Sequence, residues 1–376
     1  MKVYFDNNAS TPIDPEVIAE MTPFIKQYYG NPSSGHWLGK KGKEAIEVSR
    51  KRVAGLIGAK PHEIIFTSGG SESNNHALKG VVFAHKEKSA HIITSTIEHP
   101  AIINPCRYLE TKRFRVTYVG ADEYGMSSPR DIEDAITDET IIVSIMHANN
   151  ETGTIQPIAE IGKICRDRGI SFHTDAAQSV GKIPVDVNKL NVDLLSIAGH
   201  KFHASKGVGA LYVREGINLE PLIHGASHEI NRRAGTENVA GIAGLGKACQ
   251  IAYERMNEYN KRITGLRDLL YAKLQEIADV KLNGHPSQRL PNTLNLSFFG
   301  VDSSALVLEL RDIAISTGSA CHDKVKKPSS VLTAMNVPVE LALGAVRFSL
   351  GRFNSEEEVN YVVERIREYL EKEVKR

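Results

Sequence analysis

Two side chains suited to amine chemistry follow neighbouring strand-like stretches of this 376-residue sequence. Residues 170–174 run into Asp175, and residues 193–198 are followed by His200 and Lys201. Ligands of an open α/β sheet bind in the crevice outside the carboxyl ends of the strands, so we expect Asp175 and Lys201 to face one crevice. Pyridoxal 5'-phosphate requires a lysine that forms a Schiff base and a carboxylate that keeps the pyridine nitrogen protonated. The pattern therefore predicts a pyridoxal-phosphate site.

An anion-binding turn is predicted at residues 68–72. The apolar run 63–67 is typical of a buried strand, and it leads through Gly69 and Gly70 into a helical pattern. Free backbone N–H groups and the helix dipole at such a helix start bind phosphate, and Ser71 adds a hydroxyl. Glycine turns before helices are common, so this pattern alone does not specify a cofactor.

Cys321 has the setting of a nucleophilic thiol. Small residues precede it at 318–320, and a polar, basic stretch follows it at 322–327. Positive neighbours lower the pKa of a thiol and so favour the thiolate. The four cysteines of the chain lie far apart, and their spacing indicates neither a disulfide framework nor a zinc site. We therefore assign no metal and expect a reducing compartment.

Composition and charge exclude several classes of partner. The net charge is only +1 and charged residues make up 24% of the chain, so no global field favours nucleic acid or an anionic membrane surface. No window approaches eighteen uncharged apolar residues, and the N-terminus turns polar too soon for a signal peptide. We expect a cytoplasmic protein that binds a small molecule in a pocket, and neither nucleic acid nor membrane.

Strand-like runs alternate with helical patterns through the first part of the chain. Besides the runs above, the first residues of the chain and residues 91–97, 140–146 and 209–213 are typical of strands. This alternation predicts a doubly wound, mostly parallel sheet of seven strands.

A second, smaller lobe is predicted to follow a long helical pattern at about 243–280. Its last helix begins at a capping box, Ser355 to Glu358. We assign residues 15–250 to a large cofactor-binding domain. Residues 1–14 and 251–376 are assigned to a small domain that carries the Cys321 loop.

Four short motifs resemble those of a known family. They are Asn-Asn-Glu-Thr-Gly at 149–153, Asp-Ala-Ala-Gln at 175–178, Ser-Ile-Ala-Gly-His-Lys at 196–201 and Gly-Ser-Ala-Cys at 318–321. The chain is similar over nearly its whole length to the cysteine desulfurases of the nitrogen-fixation and iron–sulfur-cluster type (the NifS/IscS type), which are class V, fold-type I pyridoxal-phosphate enzymes. The resemblance implies a fold-type I α/β transferase, with the seven-stranded sheet in the large domain, a smaller α+β domain and a homodimeric assembly.

The resemblance also implies a role for each candidate residue. Lys201 forms the Schiff base and removes the α-proton, His99 stacks on the pyridine ring and moves protons during the reaction, and Cys321 takes the substrate sulfur. Arg347 and Asn150 bind the substrate, the arginine through the carboxylate of L-cysteine. The implied cofactor-binding residues are Gly70, Ser71, His99, Asn150, Asp175, Gln178, His200, Lys201 and Thr236. By the same resemblance, Thr236 reaches the cofactor phosphate of the partner subunit.

Two departures from the family pattern concern the cofactor site. Ala198 stands where many members have a serine that bonds the phosphate, so one hydroxyl contact is expected to be absent. Residues 225–229 read Gly-Ala-Ser-His-Glu in place of the usual Gly-Gly-Gly-x-Glu, which leaves the backbone detail of this loop open.

The expected reaction converts L-cysteine to L-alanine and transfers the sulfur to a Cys321 persulfide. An acceptor then takes the sulfur, for iron–sulfur cluster assembly on a scaffold protein or for thiolation. A selenocysteine lyase and a class V aminotransferase are the alternatives that keep the cofactor, although an aminotransferase needs no loop cysteine. A non-enzymatic assembly partner is disfavoured, because a scaffold requires none of Lys201, Asp175, His99 and Arg347.

Overall fold

The structure, a computed structural model, describes residues 1–85, 90–317 and 327–374. Within these residues the strands are β1 (Val3–Tyr4), β2 (Ile64–Thr67), β3 (His91–Ser95), β4 (Arg115–Val119), β5 (Thr140–Ser144), β6 (Ser171–Asp175), β7 (Leu194–Ala198), β8 (Gly209–Val213), β9 (Val280–Leu282), β10 (Thr293–Phe298), β11 (Ile313–Ala314), β12 (Ser316–Thr317) and β13 (Ala345–Ser349). The α-helices are α1 (Pro15–Lys26), α2 (Trp37–Ile57), α3 (Gly70–Ala84), α4 (Pro100–Thr111), α5 (Pro129–Ala135), α6 (Ile158–Asp167), α7 (Val239–Ile277), α8 (Ser303–Glu309), α9 (Ser330–Ala334), α10 (Val339–Leu343) and α11 (Glu356–Val374).

A seven-stranded sheet holds the strand ends from which the predicted site is built. Its order is β2-β8-β7-β6-β5-β3-β4. Neighbours pair in parallel except at β8, which is antiparallel to β2 and to β7. The predicted mostly parallel seven-stranded sheet is thus confirmed, but the short N-terminal strand predicted as one of the seven lies outside it, because β1 pairs with β11 and β4 is the seventh strand. The sequence analysis does not predict β4, because this edge strand is partly exposed and lacks the continuous apolar run of a buried parallel strand.

Both faces of this sheet are covered, which explains why its central strands are apolar throughout. Adjacent residues such as Ile64 and Ile65, or Leu194 and Leu195, are fully buried in two different hydrophobic cores. Successive side chains of a strand point to opposite faces, so each strand contributes to both cores. The carboxyl ends of the strands are left as the polar edge of the sheet.

A second sheet lies in the C-terminal part of the chain. Its order is β12-β13-β10-β9, with antiparallel pairing throughout, and β1 pairs in parallel with β11 beside it. Helix α7 packs Leu245 into a core of the large sheet and Leu270 into the core of the second sheet. The predicted boundary after residue 250 falls inside this helix, and the division into two domains stays a prediction.

Two smaller findings concern the helices. The predicted capping box is confirmed, since Ser355 N–H donates to Glu358 Oε2 at 2.9 Å and Glu358 N–H donates to Ser355 Oγ at 3.3 Å. Among the described residues, no helix is both long and apolar enough to cross a membrane.

A left-handed turn of three consecutive non-glycine residues begins at Glu229. Glu229, Ile230 and Asn231 have φ angles of 45°, 59° and 61°. This conformation costs about 1–2 kcal/mol per residue, so surrounding contacts must hold it. Arg50 binds both carboxylate oxygens of Glu229 at 2.8 and 2.9 Å, and the Phe66 N–H donates to the same carboxylate at 2.8 Å. The buried ion pair therefore fixes the turn against α2 and β2.

Arg50→Met should lower the free energy of unfolding by about 3–5 kcal/mol, because the buried Glu229 carboxylate loses its partner while the methionine keeps the length of the stem. Lys60→Met is the control, since the Lys60–Glu215 ion pair is exposed and such pairs contribute little. Denaturant unfolding followed by circular dichroism measures both variants. If Arg50→Met proves as stable as Lys60→Met, the turn is held by something other than this ion pair.

Candidate active site

A cavity of about 230 Å³ opens at the carboxyl ends of β6 and β7. The structure brings eight of the predicted site residues to its wall: Gly70, Ser71, His99, Asn150, Asp175, Gln178, His200 and Lys201. Asn74, Met146 and Ala148 also line the cavity and are not predicted from the sequence. The strand-end residues that opened the sequence analysis therefore share one crevice.

The Lys201 amine lies just beyond the end of β7. The strand ends at Ala198, and a short 3-10 turn then delivers Lys201. Its Nζ donates to the main-chain oxygens of Asn8 at 2.7 Å and Ala9 at 3.0 Å. Burial, together with the positive charge of Arg347, lowers the pKa of Lys201 to about 8. The amine is thus closer to its neutral, nucleophilic form than an exposed lysine.

Asp175 is the last residue of β6, and its carboxylate is oriented by two donors. Oδ1 accepts the Ala177 N–H at 2.9 Å, and Oδ2 accepts Asn74 Nδ2 at 2.7 Å. Asn74 is almost fully buried in the first turns of α3, on the same helix face as Ala77 and Leu78. A polar residue at a position of the apolar face is the signal in the sequence that could have identified it.

The start of α3 lies against the end of β7, and the anion site predicted there stays a prediction. Gly69 has a φ of 148°, and a Cβ added to Gly70 would lie 3.2 Å from the Ala198 Cβ, so the helix start packs closely on the end of β7. Glu72 lies in the first turn of α3, where its charge would oppose an anion. Arg233 pairs with Glu72 at 2.9 Å and offsets that charge.

His99 is the N-cap of α4 and lines the cavity. Its Nδ1 accepts the Ala101 N–H at 3.1 Å, so the neutral ring carries its proton on Nε2. Burial lowers the pKa of His99 against the opposing effect of Asp175, and the charge of Lys201 lowers it further. The ring is therefore held in one tautomer with Nε2 as the available donor.

Glu98, the residue before His99, forms hydrogen bonds to the end of β3 and to the segment that follows β5. Its Oε1 accepts Ser95 Oγ at 2.7 Å and the Met146 N–H at 2.8 Å, and the side chain is buried. Burial raises the pKa of Glu98 to about 8, and the nearby charge of Asp175 acts in the same direction. Glu98 is thus held as a neutral acid at neutral pH, and it fixes the turn that carries His99.

Arg347 and Thr236 do not line the cavity. Arg347 donates to Asp6 Oδ1 at 2.7 Å and to the Asn150 main-chain oxygen at 2.9 Å, so it reaches the site through Asn150. Thr236 lines a separate recess with Ser68. The roles of both residues in binding substrate and phosphate stay predictions.

Cys321 lies outside the described residues. The chain is described again from residue 327, and Ser329 Oγ there donates to Glu151 Oε2 at 2.5 Å, beside the Asn150 loop. Burial raises the pKa of Cys106 and Cys165 to about 12 and also raises that of Cys249. These three thiols are poor nucleophiles. In the described part of the chain, no three His, Cys, Asp or Glu residues are placed to bind a metal ion.

Comparison with known proteins gives matches over nearly the whole chain. The aminotransferase class-V family matches residues 3–362. A cysteine desulfurase IscS from Methanosarcina thermophila is 50% identical over 98% of this chain and 92% of its own length, and one from Dictyoglomus turgidum is 51% identical over 99% and 95%. The solved structure of a NifS-like protein superposes with a TM-score of 0.93 at 40% identity, covering 99% of this chain and all of that one.

Glu98→Gln should remove a pH dependence of stability. In the folded protein Glu98 keeps its proton up to about pH 8, whereas the unfolded chain releases it near the ordinary glutamate pKa. The free energy of unfolding therefore falls as pH rises between these values, by up to about 1 kcal/mol per pH unit. Glutamine keeps the accepting oxygen without this titration, so the variant should gain stability relative to wild type from about pH 5 to about pH 8.

Urea unfolding of both proteins across this range measures the difference. Glu98→Leu is the companion variant, because it leaves Ser95 Oγ and the Met146 N–H without their acceptor and should be less stable at every pH. Parallel pH profiles for wild type and Glu98→Gln would mean that Glu98 is ionised in the folded protein.

Proposed function

The chain belongs to the aminotransferase class-V family, and we propose from this premise that its reaction is cysteine desulfuration with pyridoxal 5'-phosphate. L-cysteine is converted to L-alanine, and the sulfur passes to Cys321 and then to an acceptor. The observation that carries the proposal is the shared cavity of Lys201 and Asp175 at the ends of β7 and β6. The IscS relatives are cysteine desulfurases, and a further solved structure, SspA in complex with cysteine, is 38% identical with a TM-score of 0.83 over 94% of this chain and all of that one.

The residues around the cavity suit pyridoxal phosphate. Lys201 Nζ contacts carbonyl oxygens rather than a carboxylate, so the amine is available to hold the cofactor covalently. Asp175 would hold the pyridine nitrogen, and Gly70 with Ser71 at the start of α3 would hold the phosphate, since all three residues line the cavity. His99, which lines the same cavity, would hold the ring. When bound, the cofactor supplies an electron sink that weakens the bonds at the α-carbon of an amino acid.

Lys201 would serve as the base for the α-proton of the substrate. A general base works best with a pKa near the working pH, and burial gives Lys201 a pKa of about 8. The proton on His99 Nε2 is available to the substrate on the other side of the site. Lys201 thus accepts a proton from the substrate, and His99 donates one to it.

Arg347 binds the substrate carboxylate with help from Asn150. The guanidinium already donates to Asp6 and to the Asn150 carbonyl, and its Nε has no partner among the described residues. Because Asp6 accepts from the same group, the substrate carboxylate shares or displaces that contact. Such bidentate pairing fixes the orientation of an amino acid as well as its charge.

Cys321 performs the sulfur transfer. Its thiolate attacks the substrate sulfur, so a sulfur–sulfur bond forms as the carbon–sulfur bond of the substrate breaks. The electron pair of the broken bond stays with the substrate carbon, which takes a proton and leaves as L-alanine. Cys321 then carries a persulfide, and its outer sulfur passes to a thiolate of the acceptor.

The proposal extends to assembly and location. We propose a homodimer in which Thr236 serves the partner subunit's phosphate site, and an acceptor or scaffold protein that takes the sulfur. Among the described residues the cysteines are free and buried, which supports a reducing compartment such as the cytoplasm.

Cys321→Ala should lower alanine release from L-cysteine by at least about a hundredfold and carry no persulfide, because the attacking thiolate is gone. Binding of L-cysteine, seen as a change in absorption of the bound cofactor, should persist. Cys106→Ala is the control, since that thiol is buried and should leave turnover per folded molecule unchanged. Undiminished alanine release from L-cysteine by Cys321→Ala would overturn the assignment of Cys321 as the thiol that takes the sulfur.

Lys201→Ala should abolish turnover and the absorption band of the lysine-bound cofactor, because Lys201 is the only lysine among the described residues that lines the cavity. Lys206→Ala, an exposed lysine five positions along, is the matched control and should keep both. Borohydride reduction, which fixes cofactor to its lysine, followed by peptide mapping identifies the site. Labelling of Lys201→Ala at the wild-type level would show that a different lysine holds the cofactor.

A further inference from the structure

Lys182 is a buried lysine that pairs with amides instead of a carboxylate. Its Nζ donates to Gln178 Oε1 at 2.7 Å and to Asn8 Oδ1 at 3.0 Å, and the residue is 9% exposed. In the described part of the chain it forms no ion pair with Asp or Glu. Burial, with the charges of Lys201 and Arg347, holds the pKa of Lys182 well below its ordinary value. A buried amine is costly, so its contacts need an explanation beyond packing.

Both partners of Lys182 also contact the active site. Gln178 lines the cavity, and the main-chain oxygen of Asn8 accepts Lys201 Nζ at 2.7 Å and Gln178 Nε2 at 2.9 Å. Lys182 therefore bonds to Asn8, which contacts the Lys201 amine, and to Gln178, which lines the cofactor cavity. Lys182 itself lies behind the cavity wall, in a small second cavity that Lys201 also lines.

The hydrogen bonds of Lys182 agree with the side-chain amide orientations that neighbouring main-chain carbonyls require of Gln178 and Asn8. Gln178 must turn Nε2 toward the Asn8 main-chain oxygen, which can only accept, and this places Oε1 at Lys182. Asn8 must turn Nδ2 toward the Asn150 carbonyl at 3.2 Å, which places Oδ1 at Lys182. The second N–H of Gln178 is then left for a group bound in the cavity.

We propose that Lys182 is a positioning residue, which holds the Gln178 amide with an N–H toward the cofactor cavity and holds Asn8 against Lys201. The proposal rests on the proposed function in one respect, that the group in the cavity is pyridoxal phosphate. It depends on neither the substrate nor Cys321. Without Lys182, the Gln178 oxygen loses its donor, and only the contact of Nε2 with the Asn8 carbonyl still opposes a turn of that oxygen toward the cofactor, where it would repel an acceptor.

The test is a double-mutant cycle on cofactor affinity. Lys182→Met should weaken pyridoxal-phosphate binding by about tenfold or more, as expected when one hydrogen bond to a charged group is lost, and should shift the absorption maximum of the bound cofactor. Gln178→Ala should weaken binding similarly. In the Gln178→Ala background, Lys182→Met should add less than about a twofold change, because Lys182 acts on the cofactor through Gln178, while Asn8 Oδ1 keeps its second donor, Asn292 Nδ2.

Two further variants separate positioning from general structural support. Lys182→Gln retains a side-chain N–H donor and should restore affinity to within about threefold of wild type. If Lys182→Met fails to fold, Lys182→Gln serves as the test of the positioning role. Lys189→Met removes an exposed lysine seven positions along and should leave affinity and spectrum unchanged.

Wild-type affinity and spectrum in Lys182→Met would overturn the proposal. So would a double variant whose loss equals the product of the two single losses, since Lys182 and Gln178 would then act independently. Equal impairment of Lys182→Gln and Lys182→Met would overturn the hydrogen-bonding role. A wild-type protein that binds the cofactor but releases no alanine from L-cysteine would overturn the desulfurase proposal and leave this cycle valid.

Discussion

The arrangement of the site depends on one asparagine that bonds to both sheets. The Asn8 N–H donates to Ser349 Oγ at 2.9 Å and its Nδ2 donates to Thr293 Oγ1 at 2.8 Å, both on strands of the second sheet. Its main-chain oxygen accepts Lys201, 193 residues away in the chain, and Gln178. Because Asn8 is buried, water cannot replace these partners when one is lost. The N-terminal segment thus fixes the reactive amine relative to the second sheet.

The parts of the fold and site that depend on local sequence could be predicted. Apolar runs and the turns after them locate the buried strands, and strand ends in a parallel sheet meet at one edge. This is enough to bring Asp175, Lys201 and the start of α3 into one cavity. The same reasoning does not predict edge strand β4, because its partly exposed residues have no clear apolar pattern.

Contacts between residues distant in the sequence could not be predicted. The polar position on the apolar face of α3 draws attention to Asn74, but nothing local indicates that its partner is Asp175, or that Asp6 is the partner of Arg347, because the folded geometry determines both pairs. The same holds for Lys182, whose sequence neighbours look like an ordinary turn. These residues determine the orientation and charge of the predicted groups, so a motif locates the site and the structure explains how its groups are held.

The alanine at position 198 shows how packing and electrostatics combine at the anion site. A Cβ on Gly70 would lie 3.2 Å from the Ala198 Cβ and 3.8 Å from the Ala177 Cβ, so the helix start rests directly on two strand-end methyl groups. Ala198 offers no hydroxyl to an anion, so within one subunit the proposed phosphate site would depend on the helix N-terminus and Ser71. The first-turn acid, Glu72, would weaken such a site, but its pairing with Arg233 offsets the negative charge. The missing hydroxyl therefore makes this site more dependent on the helix dipole and on the Glu72–Arg233 pair.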